Sequence, residues 1–245
     1  MALNANDYKQ ESKFERPDPL DPGTYPGRVV QIVSLGLQPQ RPFKGEDKPP
    51  KHELYVTYEL ADEFMKDEDG EDIEDKPRWM SETFTMNSLD SDLAKSTKRY
   101  TALDPDMKYE GDWSQLAGAP AMLTITQAAS KKDDNIIYNN ISSVQTMRAK
   151  DAAKLPDLQN EPKVFDIDDP DVEMFNSFPK WLQDKIKSNL EFGGSVLEKA
   201  LKGEKNTDRK ESSKTNDSKK PQKKVSKNEE DMEYTKGDDQ EEENW

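Results

Sequence analysis

The sequence predicts a mainly β protein with a single helix set inside its strand order. Two long runs rich in β-branched and aromatic residues, "TYPGRVVQIVSLGLQ" and "HELYVTYEL", open the folded part, as pleated half-buried strands require. Farther on, "SLDSDLAKSTKRYTAL" shifts to helical spacing, and strand-like runs then resume. The apolar share of the whole chain is only 31% over 245 residues, so a core of ordinary composition is diluted by segments that cannot pack.

The elements follow in order. Residues 1–22 are polar and close on "RPDPLDPG"; the prolines disfavour a helix and predict an extended arm. The domain then starts at Gly23, with Gly27 and Gly36 marking bends or bulges in the first strand. In the second strand Leu54, Val56, Tyr58 and Leu60 alternate with Glu53, Tyr55, Thr57 and Glu59, giving one apolar face and one polar face that carries an aromatic. Between these two strands lies the basic, proline-rich loop "QPQRPFKGEDKPPK".

The acidic run Asp62 to Asp75 contains Asp69-Gly70, a turn signal. "RWMSETFTM" follows as a third strand, with Met80, Phe84 and Met86 expected on one face. Leu89, Leu93, Thr97 and Tyr100 recur at helical spacing behind Ser88 or Asp90 as cap. "APAMLTIT", the turn-like "QAASKKDDN" and "IIYNNISSV" read as a closing β-hairpin.

Three strands, a helix and two strands is the order of the OB-fold, a five-stranded partly open barrel that binds oligonucleotides on a strand face and its loops. The expected organisation is an arm at 1–22, an OB-fold domain at 23–147, a helical extension at 148–201 and a disordered basic-then-acidic tail at 202–245. An all-β sandwich with an incidental helix stays open. In the extension Phe175, Phe178, Trp181, Leu182 and Ile186 form an apolar stripe, expected to pack on the chain's own domain.

Chemistry is excluded by what the chain lacks. With no Cys and His52 as its one histidine, it offers neither a disulfide framework nor the usual zinc sites. No P-loop, nucleophile elbow, zincin helix or dinucleotide glycine pattern occurs. With Gly70 in the glycine place, the ends of a calcium loop would fall on Met65 and Lys76, so that motif fails. No catalytic residue, metal site or cofactor is therefore expected. "MALNANDYKQESKF" lacks a signal-peptide core, and no run nears the roughly 18 apolar residues of a membrane span. The chain reads as intracellular and soluble.

A formal net charge of -15 opposes binding to phosphate backbones, but the acid is concentrated in residues 62–75 and from Glu229 onward. Elsewhere cations stand among aromatics, the mixture of phosphate tracking and base stacking that a single-strand groove needs. The candidate DNA-binding residues are Arg41, Phe43, Lys44, Lys48 and Lys51 around the first loop, Tyr55 on the second strand, Arg78 and Trp79 on the third, and Lys98, Arg99 and Tyr100 on the helix. Scattered cations are also ordinary solvated surface, and only the grouping with aromatics favours the groove. Tyr58 and Phe84 sit on apolar faces and are expected in the core.

The runs "PGTYPGRVVQIVSLGLQPQRPFKGEDKPPKHELYVTYELADEF", "KPRWMSETFTMNSLDSDLAKSTKRY" and "KVFDIDDPDVEMFNSFPKWLQDKIK", spread over about residues 20 to 195, resemble single-stranded DNA-binding proteins of tailed bacteriophages. The resemblance implies an OB-fold core and sequence-independent binding of single strands in phage DNA replication, recombination and repair, in the cytoplasm of the bacterial host. It also implies an acidic C-terminal tail that docks on replication proteins such as a polymerase or helicase-primase.

Many relatives end that tail on phenylalanine, whereas this chain ends "EEENW". Glu241, Glu242 and Glu243 would steer the tail to a basic rim, and Trp245 would be its apolar anchor. Homodimerisation through a barrel edge or tail exchange stays open. So do two rival functions: a protein-interaction adaptor or acidic DNA mimic on an OB-like barrel, and a metal-dependent enzyme using the acids of residues 62–75.

Overall fold

A computed structural model describes residues 17–203 except 131, 132 and 134. The candidate tail residues Glu241, Glu242, Glu243 and Trp245, and the first part of the arm, lie outside the described residues.

The strands are β1 (Gly23–Gln38), β2 (Lys51–Lys66), β3 (Asp72–Thr85), β4 (Pro120–Ala129), β5 (Ile137–Thr146) and β6 (Lys163–Phe165). The helices are α1 (Lys95–Leu103), α2 (Ala149–Ala152), α3 (Val172–Ser177), α4 (Lys180–Lys187) and α5 (Val196–Leu201), with a 3-10 turn at Trp113–Leu116. The strand order is β3-β2-β1-β4-β5, all neighbours antiparallel, and β6 joins β1 in parallel. The fold is thus mainly β, with the expected order of three strands, helix and hairpin.

The sheet is not closed. β3 and β5, at its two ends, share no ladder, and α1 lies across the opening. There Arg99 Nε and Nη2 donate to the two oxygens of Glu82 on β3 at 2.9 and 3.2 Å, while Nη2 also reaches the Ile141 carbonyl of β5 at 3.2 Å. Side chains join what the backbone leaves unpaired.

Alternation holds where the sequence shows it. Leu54, Val56, Tyr58 and Leu60 of β2 are all buried in one core with Val29, Ile32, Phe84, Tyr100, Trp113, Leu123 and Ile125. Met80 and Phe84 share that face, but Met86 lies beyond the end of β3 and is exposed. The register of β1 on β2 shifts at Val29/Gln31 and at Ser34/Gly36. Gly36 has φ 70°, and a Cβ there would lie 2.4 Å from the Asn189 amide. Only glycine suits the second bulge.

The acidic run forms the hairpin turn between β2 and β3. Asp67 Oδ1 accepts the N–H groups of Asp69 and Glu71, and Gly70 takes φ 85°. Helix α1 starts later than its sequence stripe suggests: Ala94 is the N-cap, Leu93 is exposed, and Ser88 with Asp90 forms a separate turn. At the other end of the fold, Leu20 anchors the end of the arm. Its N–H donates to Asn139 Oδ1 at 2.7 Å, and its carbonyl accepts Gln127 and Asn139 amides.

The second face of the sheet is also covered. Val33 and Leu35 of β1 pack with Phe165, Ile167, Phe175, Phe178, Leu182, Ile186 and Leu197. The extension expected to be helical therefore also contributes a strand, and Pro179 divides its stripe into α3 and α4. Polar latches fix it. Arg28 donates to the Leu155 and Pro156 carbonyls, Asn189 Oδ1 accepts the Leu37 N–H at 2.8 Å, and Leu190 N–H donates to the Leu37 carbonyl at 2.9 Å.

Candidate nucleic-acid interface

The extension leaves part of the outer face of β2 and β3 open. Tyr55, Thr57 and Glu59 of β2 stand opposite Thr83, Ser81 and Trp79 of β3, and odd-numbered residues of both strands share this side because side chains alternate along a strand. Thr57 and Ser81 hydroxyls are hydrogen-bonded at 3.0 Å, and Ser81 and Thr83 face solvent. The result is a polar floor with aromatics at its ends.

At one end Trp79 is 45% exposed, and its Nε1 donates to Glu59 Oε2 at 3.1 Å. Glu59 is itself only 4% exposed. Its carboxylate also accepts the Gln159 N–H and the Asn160 amide, each at 2.7 Å. Charge-assisted hydrogen bonds of this kind satisfy a buried carboxylate without a counter-ion. They tie the extension to the sheet and orient the Trp79 indole.

At the other end Tyr55 packs against Trp181 of α4, ring centroids 5.3 Å apart and edge to face, and Trp181 is 55% exposed. This corrects the expectation that Trp181 packs with the apolar stripe. Phe178, Leu182 and Ile186 follow one another at intervals of four and are buried, whereas Trp181 precedes Leu182 by one residue, about 100° round the helix. Helical spacing, applied residue by residue, separates it from the stripe.

The β1–β2 loop presents Phe43 on a tight turn. Phe43 and Glu46 exchange backbone hydrogen bonds of 2.9 and 3.0 Å, and Lys44 and Gly45 both take positive φ, the geometry of a type I′ turn. Lys44 and Lys48 ammonium groups lie 5.1 and 4.5 Å from the ring centroid of this exposed phenylalanine. Such cation–π contacts set positive charge beside an aromatic face. Lys51, at the start of β2, donates to Asn87 at 3.0 Å and is exposed, as is Arg41.

Four candidates lie away from this surface. Tyr100 is fully buried at 0% exposure, edge-on to Trp113, with its hydroxyl donating to Asp104 and accepting the Gly111 N–H. Arg99 is buried in its pair with Glu82. Both point inward because α1 turns its Tyr100 face to the core, so neither can meet a base or phosphate. Arg78 is half-buried in a cavity of about 480 Å³ with Asp18, Tyr25, Glu63 and Asp67 in its lining. Desolvation lowers its pKa, opposed by Glu63 and Asp18. Glu63 is raised by desolvation and by Asp62 beside it. Arg78 thus lies in a cavity that local carboxylates also line. Lys98 is exposed on α1, where it lines a shallow concavity with Asp92, Thr97 and Thr146, on the β5 side rather than on the β2–β3 face.

No group of His, Asp or Glu among the described residues is placed to hold a metal ion. No helix among them is long and apolar enough to cross a membrane. No family model matches the chain, and neither a curated protein nor a solved structure matches it.

Proposed function

We propose that this protein binds single-stranded DNA without sequence preference through the β2–β3 face and the β1–β2 loop, on an OB-type barrel whose last seam is left to side chains. The connectivity supports the reading: β1 pairs with both β2 and β4, α1 falls between β3 and β4, and only the β3–β5 ladder of a closed barrel is missing. The observation that carries it is the pairing of exposed aromatics with a polar strand floor and a lysine-bearing loop. Trp79 and Phe43 expose large ring surfaces where an OB-fold receives its ligand.

On this reading the protein covers and protects single strands during phage DNA replication, recombination and repair, as its sequence resemblance implies. Its acidic C-terminal residues recruit replication proteins. The bulk negative charge is compatible because four exposed candidate cations, Arg41, Lys44, Lys48 and Lys51, lie in the β1–β2 loop and at the start of β2.

The test is titration of labelled poly-dT and of a duplex of equal length, from about 50 to 200 mM salt. Tight, salt-sensitive binding of the single strand with weak duplex binding is expected. Absent or salt-insensitive binding of poly-dT overturns the proposal and favours a protein-interaction adaptor.

A further inference from the structure

We infer that Trp181, which lies in the extension and not in the five-stranded sheet, is a base-stacking residue that sets one end of the single-strand path, with Trp79 at the other. The inference rests on the single-strand reading above and names which part of the face takes bases.

Three observations carry it. First, the Trp181 ring exposes more than half its surface while its neighbours on α4, Leu182 and Ile186, are buried. The helix is seated, so the ring is presented from a fixed base. The Tyr55 ring, 5.3 Å away and steeply inclined, restrains it from the side. A two-torsion aromatic held in this way loses little freedom when a ligand stacks on it.

Second, the surroundings suit a nucleobase better than an apolar protein anchor. Along the strands the next solvent-facing residues are Ser81 and Thr83, with the buried Thr57 hydroxyl bonded to Ser81, a hydroxyl floor and not a hydrophobic pocket. Tyr55 stands opposite Thr83, and Trp79 is four residues farther along β3, about 13 Å at strand rise. The two indoles are therefore too far apart to sandwich one base, and each has its own.

Third, the carboxylates nearby are neutralised. Glu53 is paired with Lys185 of α4 at 3.0 Å and accepts Gln40 at 3.0 Å, Asp184 is paired with Lys180, and Glu59 is internal. Lys51 remains exposed at this end of β2. A phosphate chain crossing the face meets Lys51 at the Trp181 end and, among the described residues, no unpaired acid on the floor between the two indoles.

Affinities are measured for full-length wild type, W181A, W181F, W79A and W79A/W181A, using dT oligonucleotides and an abasic strand of equal length and charge. W181A is expected to bind dT at least about fivefold more weakly. Its affinity for the abasic strand stays at the wild-type value, W181F recovers most of the loss, and the W79A and W181A losses multiply, as independent sites require. Thermal melting checks that W181A folds. If W181A binds dT as wild type does, or loses dT and abasic binding equally, the stacking role is overturned while single-strand binding stands. An altered oligomeric state in W181A with unchanged dT binding also overturns it, in favour of a protein contact. Failure of wild type to bind dT at all removes the parent proposal instead.

Discussion

Arg99 on α1 and Glu82 on β3 form a two-pronged buried pair, 2.9 and 3.2 Å, at the seam where the sheet fails to close. Lys95 adds a third contact to the same carboxylate at 3.0 Å from the solvent side. Removing one partner of a buried pair leaves the other charge uncompensated, at a cost of about 3–5 kcal/mol. Because Lys95 remains, R99A is expected to lose about 3 kcal/mol in urea unfolding, with single-strand affinity unchanged at a temperature where the variant is folded. A loss below about 1 kcal/mol would mean that the seam is held by packing alone.

The cations divide into two groups by their surroundings. Lys44, Lys48 and Lys51 are exposed at the loop and β2 start, so each change to Ala is expected to make the salt dependence shallower, by about 0.7 in log affinity per log salt for each phosphate no longer neutralised. R78A is expected to leave the slope alone, because Arg78 is half-buried in a cavity lined also by Glu63 and Asp18. Equal effects from both groups would place the strand over the β2–β3 hairpin instead.

Trp79 and Tyr100 make a matched pair of tests. W79A is expected to weaken dT binding by about 1–3 kcal/mol, with a melting temperature within a few degrees of wild type. Y100A removes a ring packed 5.4 Å from Trp113 and is expected to cost about 3–5 kcal/mol of stability, the range for buried aromatics. It should leave dT affinity unchanged under folding conditions. The opposite assignment of effects would refute the placement of both rings.

Asp104 supplies a pH prediction. Burial opposes its ionisation, but the N–H groups of Tyr109 and Lys108 and the Tyr100 hydroxyl outweigh this and hold its carboxyl below the ordinary value. A depressed folded pKa stabilises above the unfolded value, about 3.9, and that contribution is lost as pH falls through the folded pKa. D104N should therefore melt below wild type at about pH 7, and the gap should narrow steadily under about pH 4. A gap constant from about pH 7 to pH 3 would show that the carboxylate charge contributes nothing.

The C-terminal residues are tested by charge. Deleting residues 229–245 removes nine carboxylates and one lysine, so single-strand binding is expected to tighten at low salt, with the difference fading as salt screens it. W245A keeps those acids and is expected to leave DNA affinity unchanged while weakening capture of a replication protein in pull-downs. Retention by W245A of every partner that the deletion loses would remove the anchoring role of the indole.

The second strand is legible in the sequence because one of its faces meets the core and the other is polar, while β1 reads as a near-continuous apolar run because both its faces are covered. Leu54 to Leu60 show that alternation, and Gly36 and Asp69-Gly70 mark a bulge and a turn by their composition alone. β6 is not legible, since three residues, Lys163–Phe165, are too few to display a period. Nor is the burial of Glu59, because an extension a hundred residues away supplies two of its partners. Tyr100 carries its own warning. It shares the helical stripe of Thr97, which marks it for the core, while its neighbour Arg99 draws it towards a basic site. Arg99 itself turns inward because Glu82 lies beneath α1, a pairing that only the fold creates.

The parallel pairing of β6 on β1 bears on how the chain is made. On one edge of β1, Gly23–Arg28 pair with β4, while Gln31, Ile32 and Val33 pair with Lys163, Val164 and Phe165. The partner of Val33 therefore leaves the ribosome 132 residues later, on the order of ten seconds at usual synthesis rates. Throughout that interval Val33 and Leu35 have no cover and the edge beside them accepts any passing strand. A nascent chain stalled between β5 and β6 should thus be sticky in a way the finished protein is not, and chaperone engagement should peak there, fall once Phe165 emerges and end once Leu197 completes the cover.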